Sequence, residues 1–310
     1  MSMSKQLTDQ IVMVRPAHFG FNEETATNNK FQTAPSAEEA SAVSNKAVME
    51  FDTMVKDLRD AGVEVLVHQD DGKIIRPDSI FPNNWISMHA DGKLITYPMF
   101  APLRRNERSE ELINRLGSEF DVSSRIHFEN FEDHHLFLEG TGSMVFDHDH
   151  RIIYACRSQR TMEAVLEKVA NVLDYEVVTF DAHDQSGYPV YHTNVMMAMG
   201  VDFVVICLDS VDKDSRENLI DIFSRTGKDI IEISLDQMNS FAGNMIQLKT
   251  HKGERLLVMS QSAFDCLNPK QRELLGCKTR LFPVQIPTIE KTGGGSARCM
   301  IAENFLTRKD

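Results

Sequence analysis

A rhythm in the chain limits what it can fold into more than any single residue does. Five stretches carry apolar residues three and four positions apart, at 36–61, 107–116, 161–173, 213–225 and 262–275, the spacing of amphipathic helices. Short β-rich runs surround them at 11–14, 63–67, 85–88, 94–96, 144–146, 152–155, 176–180, 203–208, 230–233, 245–248, 256–259 and 280–283. Turn signals at 91–93, 147–150 and 251–254 join neighbouring runs into hairpins. Helices returning at roughly 50-residue intervals among short strands predict a repeated unit that closes on itself. A doubly wound sheet is the main competitor, and it leads one to expect a glycine-rich turn after the first strand. Val14 is instead followed by RPAHFGFN, with no GxGxxG. No low-complexity linker interrupts the pattern, so residues 1–310 are expected to form one α/β domain.

Composition matters mainly for what it excludes. The net charge is −13, from 33 basic and 46 acidic residues, which repels phosphate backbones. The one dense basic stretch, Arg104, Arg105 and Arg108, is interleaved with Glu107, Glu110 and Glu111, so no nucleic-acid partner is expected. No apolar run approaches the ~20 residues of a membrane span. The first ten residues hold no apolar signal core either, and the expected location is the cytoplasm. Cysteines 156, 207, 266, 277 and 299 show no CxxC spacing, which suits a reduced compartment and gives no metal site. Cys156 and Cys207 sit in apolar runs and read as core.

Four segments carry chemistry. In TGGGSARCM, three glycines let a ligand approach the backbone and leave Cys299 at the end of an accessible loop, with Arg298 beside it to favour thiolate. The same segment reads equally well as a turn before a buried structural thiol. No Lys-Ser/Thr follows the glycines, which disfavours a phosphate loop. A cysteine nucleophile needs a base. His192 stands between a short β-like run and an apolar segment, where it is either that base or a structural histidine. His148 and His150 lie in an acidic turn and read as solvated, and His134 and His135 as loop residues. Glu139, before Gly140 and Gly142, is placed to touch a ligand or to cap a turn. Asn83 and Asn84, between Pro82 and the sole tryptophan, Trp85, bring two neutral amides to a strand start.

Together these segments resemble the guanidine-modifying (pentein) superfamily of arginine deiminases, dimethylarginine hydrolases and amidinotransferases, and its citrulline-hydrolysing branch most. The resemblance runs from VRPAHFGFNEETATNN at 14–29 to GGGSARCMIAE at 293–303. It implies a five-bladed α/β propeller of ββαβ modules with an axial site. It also implies Cys299 as nucleophile, His192 as general acid/base and Glu139 as a carboxylate on the substrate's terminal nitrogen. The family's RRxE corresponds to Arg104-Arg105-Asn106-Glu107 and its R-T pair to Arg160-Thr161. Arginines at such places clamp the substrate carboxylate, a bidentate geometry suited to guanidinium.

The departures bear on the substrate. Arginine-specific members have Asp where Asn84 stands, and His-x-Asp where this chain has His192-Thr193-Asn194. Leaving a buried guanidinium without its counter-charge costs about 3–5 kcal/mol, whereas Asn offers both donor and acceptor to a neutral ureido group. Citrulline, converted to ornithine, carbon dioxide and ammonia, is therefore the expected substrate, with no metal or organic cofactor. An arginine deiminase, a dimethylarginine hydrolase, an amidinotransferase and a non-catalytic binding propeller are the rivals. The expected partner is a small amino acid, with a homodimer as the assembly to test. The family's Glu-Gly-Gly-Asp is altered to Glu139-Gly140-Thr141-Gly142. Loops 17–29 and 184–188 are candidates to cover the site.

Overall fold

The computed structural model describes residues 5–36 and 38–309. It contains five three-stranded sheets, and four of them repeat one connection. Strand β3 (Ile86–Met88) pairs antiparallel with β4 (Lys93–Thr96), and helix α2 (Glu110–Glu119) then returns the chain to β5 (Ser124–His127), parallel to β4. The same order gives β6 (Val145–Asp147), β7 (Ile152–Cys156), α3 (Glu163–Leu173) and β8 (Glu176–Phe180). It recurs as β9 (Met197–Met199), β10 (Phe203–Ile206), α4 (Lys213–Arg225) and β11 (Asp229–Glu232). The fourth unit is β12 (Ile246–Lys249), β13 (Arg255–Ser260), two helices and β14 (Arg280–Val284).

The fifth sheet closes the ring from both ends of the chain. Strand β1 (Gln10–Arg15), helix α1 (Ala40–Asp60) and β2 (Glu64–Gln69) supply the parallel pair. The antiparallel partner of β1 is β15 (Ala302–Glu303), with Ile11 opposite Glu303 and Val12 opposite Ala302. This is the five-module α/β propeller that the resemblance implied, and it agrees with the closing repeat expected from the rhythm.

Burial follows position within each sheet. The middle strands are almost wholly buried, β7 and β10 at every residue, because one face meets a helix and the other meets the neighbouring strands. The outer strands β5 and β11 are largely half-exposed or exposed. The helices bury single stripes: Ala47, Phe51, Met54, Val55 and Leu58 in α1, and Val165, Leu166, Val169, Ala170 and Leu173 in α3.

Four of the five expected helices are present, with ends shifted by a few residues; residue 37, inside the first, lies outside the described residues. The stretch at 262–275 differs. It divides into α5 (Gln261–Cys266) and α6 (Pro269–Gly276), because Pro269 cannot donate the bond that would continue α5. Asn268 starts α6 afresh, its side chain accepting from Gln271 N in a capping box. Strand β5 escaped the sequence pattern because it is polar and half-exposed. Strand β9 was hidden inside a continuous apolar run. His148, expected to be solvated, stacks on Phe146 at 5.2 Å between ring centres and bonds the Tyr175 hydroxyl at 2.8 Å. Burial pushes its imidazole down to about 3. His150 is exposed as expected.

Candidate active site

Each module delivers its polar residues at one place, the turn that leads into its innermost strand. The turn at Pro82–Asn84 precedes β3, and one-turn helices Gly140–Ser143 and Thr193–Met196 precede β6 and β9. Asn244 stands two residues before β12, and Cys299 shortly before β15. Ring closure therefore gathers Asn84, Glu139, His192, Asn194, Asn244 and Cys299 from five distant stretches of sequence.

A narrow cavity lies among these turns. Cys299, His192, Asn84, Arg104, Arg160, Asp78 and Tyr191 line it, together with Phe81 and the three glycines 293–295. The Gly293–Gly295 bend is enforced by crowding: a side chain at Gly295 would press on Phe81, and Gly294 takes a left-handed φ of 63°. One wall is the segment after β1. Asn29 Nδ2 donates to Gly294 O at 3.2 Å and Gln32 Nε2 to Gly293 O at 3.0 Å, while Thr25 also faces the cavity. Loop 17–29 thus covers the site as expected. The 184–188 turn is exposed and touches that cover through Lys30, which lies over the Tyr188 ring.

Electrostatics at the centre are set by buried charges. Glu139 is fully buried; its Oε1 accepts from Phe100 N at 3.0 Å and its Oε2 from His192 Nε2 at 2.8 Å. Arg160 Nη1 reaches the same Oε2 at 3.4 Å and Arg104 Nη1 approaches it at 3.9 Å. Despite the desolvation cost, Arg160 and His192 hold this carboxyl well below its ordinary range. An ionised carboxylate only accepts, so His192 Nε2 carries the proton and Nδ1 is the basic nitrogen. Burial depresses His192 to about 4, leaving the ring neutral. Burial also raises the Cys299 thiol, against the hydrogen bonds that reach its sulfur. At rest the pair is a neutral thiol and a neutral imidazole.

Arg104 Nε and Nη2 each bond Glu107 at 2.8 Å, and its Nη1 donates to Asn84 Oδ1 at 2.9 Å. Burial pushes Glu107 up to about 7. Arg160 lies over the Tyr191 ring at 4.9 Å and donates to Thr25 O and Asn28 Oδ1. Both guanidiniums therefore border the cavity, as expected. Arg105 does not. It bonds Met99 O and Phe100 O, pairs with Glu132 at 3.4 Å and packs over Phe137, because neighbouring residues on a one-turn helix (Pro102–Arg105) point in different directions.

Other expectations are corrected in the same way. Glu139 lies behind His192 and does not line the cavity, since its oxygens are already occupied. Asn83 is buried with both amide atoms unpartnered, and Asn84 is the one at the cavity. Arg298 is turned away from the sulfur's surroundings, its Nη1 donating to Ile301 O and its Nη2 to Glu303. Arg15 and Arg76 are held by Asp52 and by Asp70 with Asp71. His134 and His135 are exposed at the end of a short, partly buried 3-10 helix (Glu129–His134). Among the described residues no group of three or more His, Cys, Asp or Glu is arranged to hold a metal ion, and no helix is long and apolar enough to cross a membrane.

Two residues at the site had escaped the sequence reading. Asp78 lines the cavity with its Oδ2 held by Asn22 and Thr25 and its buried Oδ1 unpartnered. Asn244 bonds the Cys299 sulfur from behind. For Asp78 a signal existed, an acidic residue six before Asn84 in the same segment; Asn244 lies in an ordinary turn sequence. The altered Glu-Gly-Thr-Gly also acquires a reason. A side chain at Gly142 would collide with Asn84 Nδ2 and the His192 ring, and Gly140 holds a φ of 47° against the Asn83 carbonyl.

Comparison with known proteins agrees with this architecture. The sequence profile of the eukaryotic N,N dimethylarginine dimethylhydrolases matches residues 15–306. No curated protein matches the chain. Among solved structures the chain is similar to ArgZ, an arginine dihydrolase from the ornithine-ammonia cycle in cyanobacteria, with a TM-score of 0.72 and 17% identity. That match covers 94% of this chain and 40% of ArgZ, so this chain spans about two fifths of that enzyme's length. The N-terminal domain of ArgZ, as a variant bound to substrate, matches with a TM-score of 0.69 and 17% identity over 96% of this chain and 99% of that one. A dimethylarginine dimethylaminohydrolase adduct with S-methyl-L-thiocitrulline gives 0.64 and 16% over 98% and 100%. These likenesses establish the pentein fold, and the profile that matches is that of the dimethylarginine hydrolases; the expected likeness to the citrulline-hydrolysing branch is not confirmed by these matches. Because the profile runs from Arg15 to Leu306, through all five modules, the chain belongs to the N,N dimethylarginine dimethylhydrolase family.

Proposed function

We propose that this protein is a cysteine hydrolase acting on the guanidinium end of an arginine-like amino acid, with Cys299 as nucleophile and His192 as general acid and base. The observation that carries this reading is the charge of the cavity. Three buried carboxylates, Asp78, Glu107 and Glu139, face two guanidiniums, Arg104 and Arg160, and Asp78 keeps an unpartnered oxygen at the cavity. Burial pushes Asp78 up and Glu107 up to about 7, so the one surplus negative charge of the fully ionised set is present only when both are deprotonated, a state that a cationic ligand at Asp78 favours. Arg104 and Arg160 supply the donors that an α-carboxylate needs, and Asp78 an acceptor for a cationic nitrogen.

Cys299 gives its proton to His192 and adds to the guanidino carbon as a thiolate, and the imidazolium so formed passes that proton to the departing amine or ammonia. A tetrahedral centre collapses to a thiouronium on Cys299. Water, deprotonated by His192, then attacks that carbon and releases the ureido product and the thiol. A guanidinium beside Sγ favours the thiolate, so the cationic substrate helps to ionise the nucleophile that burial keeps neutral. Glu139 fixes the tautomer and orientation of His192. Asn84 orients the reacting group, while Asn194, which does not line the cavity, reaches the Cys299 sulfur with its Nδ2 at 3.6 Å.

A second reading, citrulline, is favoured by one specific feature. Asn84 Oδ1 is taken by Arg104, which leaves Asn84 Nδ2 as a buried donor with no partner. A guanidinium carries only donors and cannot satisfy it, whereas a ureido oxygen can. One assay separates the readings. The protein is incubated in turn with arginine, Nω,Nω-dimethylarginine and citrulline, and citrulline, ornithine, ammonia and dimethylamine are quantified. Turnover of arginine or its methylated form supports the first reading, and ornithine from citrulline alone supports the second. Cys299→Ala is expected to abolish turnover while the protein stays folded; full activity in that variant would sink both.

A further inference from the structure

The sulfur of Cys299 is held from the side opposite the substrate. Asn244 belongs to the fourth module, whose turn is pressed directly onto the turn of the third: a side chain at Gly243 would collide with Val195 O and the Met196 backbone. The turn is closed by Asn244 N donating to Phe241 O at 2.8 Å, with Phe241 at a φ of 62°. Asn244 is 1% exposed and does not border the cavity. Its Nδ2 donates to Asn194 O at 2.8 Å. A carbonyl oxygen only accepts, so this bond fixes which end of the amide is the nitrogen. The second hydrogen on Nδ2 is then directed at Cys299 Sγ, 3.3 Å away, and Oδ1 lies 3.5 Å from the same sulfur.

We infer that Asn244 anchors the Cys299 sulfur in both of its protonation states, accepting S–H through Oδ1 and donating to the thiolate through Nδ2. The inference rests on the Cys299 chemistry proposed above. Asn194 Nδ2 also reaches the sulfur, at 3.6 Å, but its Oδ1 has no partner, so its amide is held by one contact where that of Asn244 is held by several. A donor to a buried thiolate is worth more than a donor to a thiol, because a charge-assisted hydrogen bond is roughly twice as strong as a neutral one. Asn244 thus shifts the balance toward the reactive form without touching the substrate.

The test is Asn244→Asp, which keeps the shape and replaces the donor with a second negative charge. Alkylation by iodoacetamide against pH in the absence of substrate, followed by peptide mass mapping that separates Cys299 from the exposed Cys277 and half-buried Cys266, reads the Cys299 thiolate. The midpoint is expected to move up by about one pH unit, with roughly ten-fold slower labelling at neutral pH, while near-ultraviolet circular dichroism stays that of the parent. In turnover, kcat falls and KM is unchanged. A labelling profile superimposable on the parent's in the folded variant overturns the inference. Should Asn244→Asp fail to fold, Asn244→Ser, which retains a short donor, is expected to lie between the two; a parent-like profile there overturns it equally. Labelling needs no substrate, so this outcome is separate from the failure of the proposed reaction, which activity in Cys299→Ala would reveal.

Discussion

At the scale of single residues, the site is a set of groups whose titration is governed by burial. His192 loses more from desolvation than it gains from Glu139 and titrates near 4. Lowered pKa means that the ring stays unprotonated down to that value. Since kcat/KM reports the free enzyme, its acid limb is expected near pH 4, well below the 6.5 of an ordinary histidine. A pH–rate series with saturating buffers checks this, and an acid limb near 6.5 would contradict the neutral resting pair. Glu139→Gln, which keeps the shape but removes the charge, is expected to cut kcat about 100-fold or more, in the range of an acid–base group losing its function, with little change in KM. Steady-state kinetics on the purified variant provide the measurement. Local sequence marked His192 and Cys299 as candidates, through a strand end and a glycine run, but left a structural reading of each open, and the family resemblance supplied their roles. Arg105 was misread because which of two adjacent arginines faces inward depends on how a one-turn helix is set against its neighbours.

At the scale of elements, the short turns before the inner strands decide the geometry. Gly142→Ala places a methyl group against Asn84 Nδ2 and the His192 ring. Overpacking of this kind costs about 1–3 kcal/mol, and the atoms displaced are those of the site. Activity is therefore expected to fall much further than thermal stability, which parallel turnover and melting measurements compare. Loss of folding with activity per folded molecule intact would contradict it. The long helices and central strands were legible because one-sided or complete burial writes a clear apolar pattern. Polar, half-exposed β5 wrote none. The α5–α6 break was visible in Pro269, yet its apolar spacing continues across the break and masked it.

At the scale of the whole molecule, the ring is closed by two residues of β15 lying against β1. Cys299 comes just before that strand, so closure and placement of the proposed nucleophile are one event. Ala302→Pro removes the ladder donor opposite Val12 and is expected to lower the melting temperature by several degrees, consistent with a loss of about 2–3 kcal/mol. Labelling of Cys299 is expected to speed up as the loop loosens. Calorimetry together with timed alkylation checks both, and an unchanged melting curve would show that closure does not depend on this ladder.

The sequence by itself determined the five-fold rhythm and the α/β class, because both are encoded by periodicity, whereas Cys299, His192, Glu139 and the arginines at 104 and 160 formed a set only through the family resemblance. Only the tertiary structure decided which atoms share a cavity. Asp78 and Asn244 became site residues, Glu139 moved behind His192 and Arg105 left the site altogether, since those placements depend on how five separate turns meet around one axis. The proposed charge of the substrate is argued at that level too. The two asparagines, read alone, favour a neutral ureido group, whereas three buried carboxylates against two guanidiniums favour a cation. That sum exists only once the ring has closed.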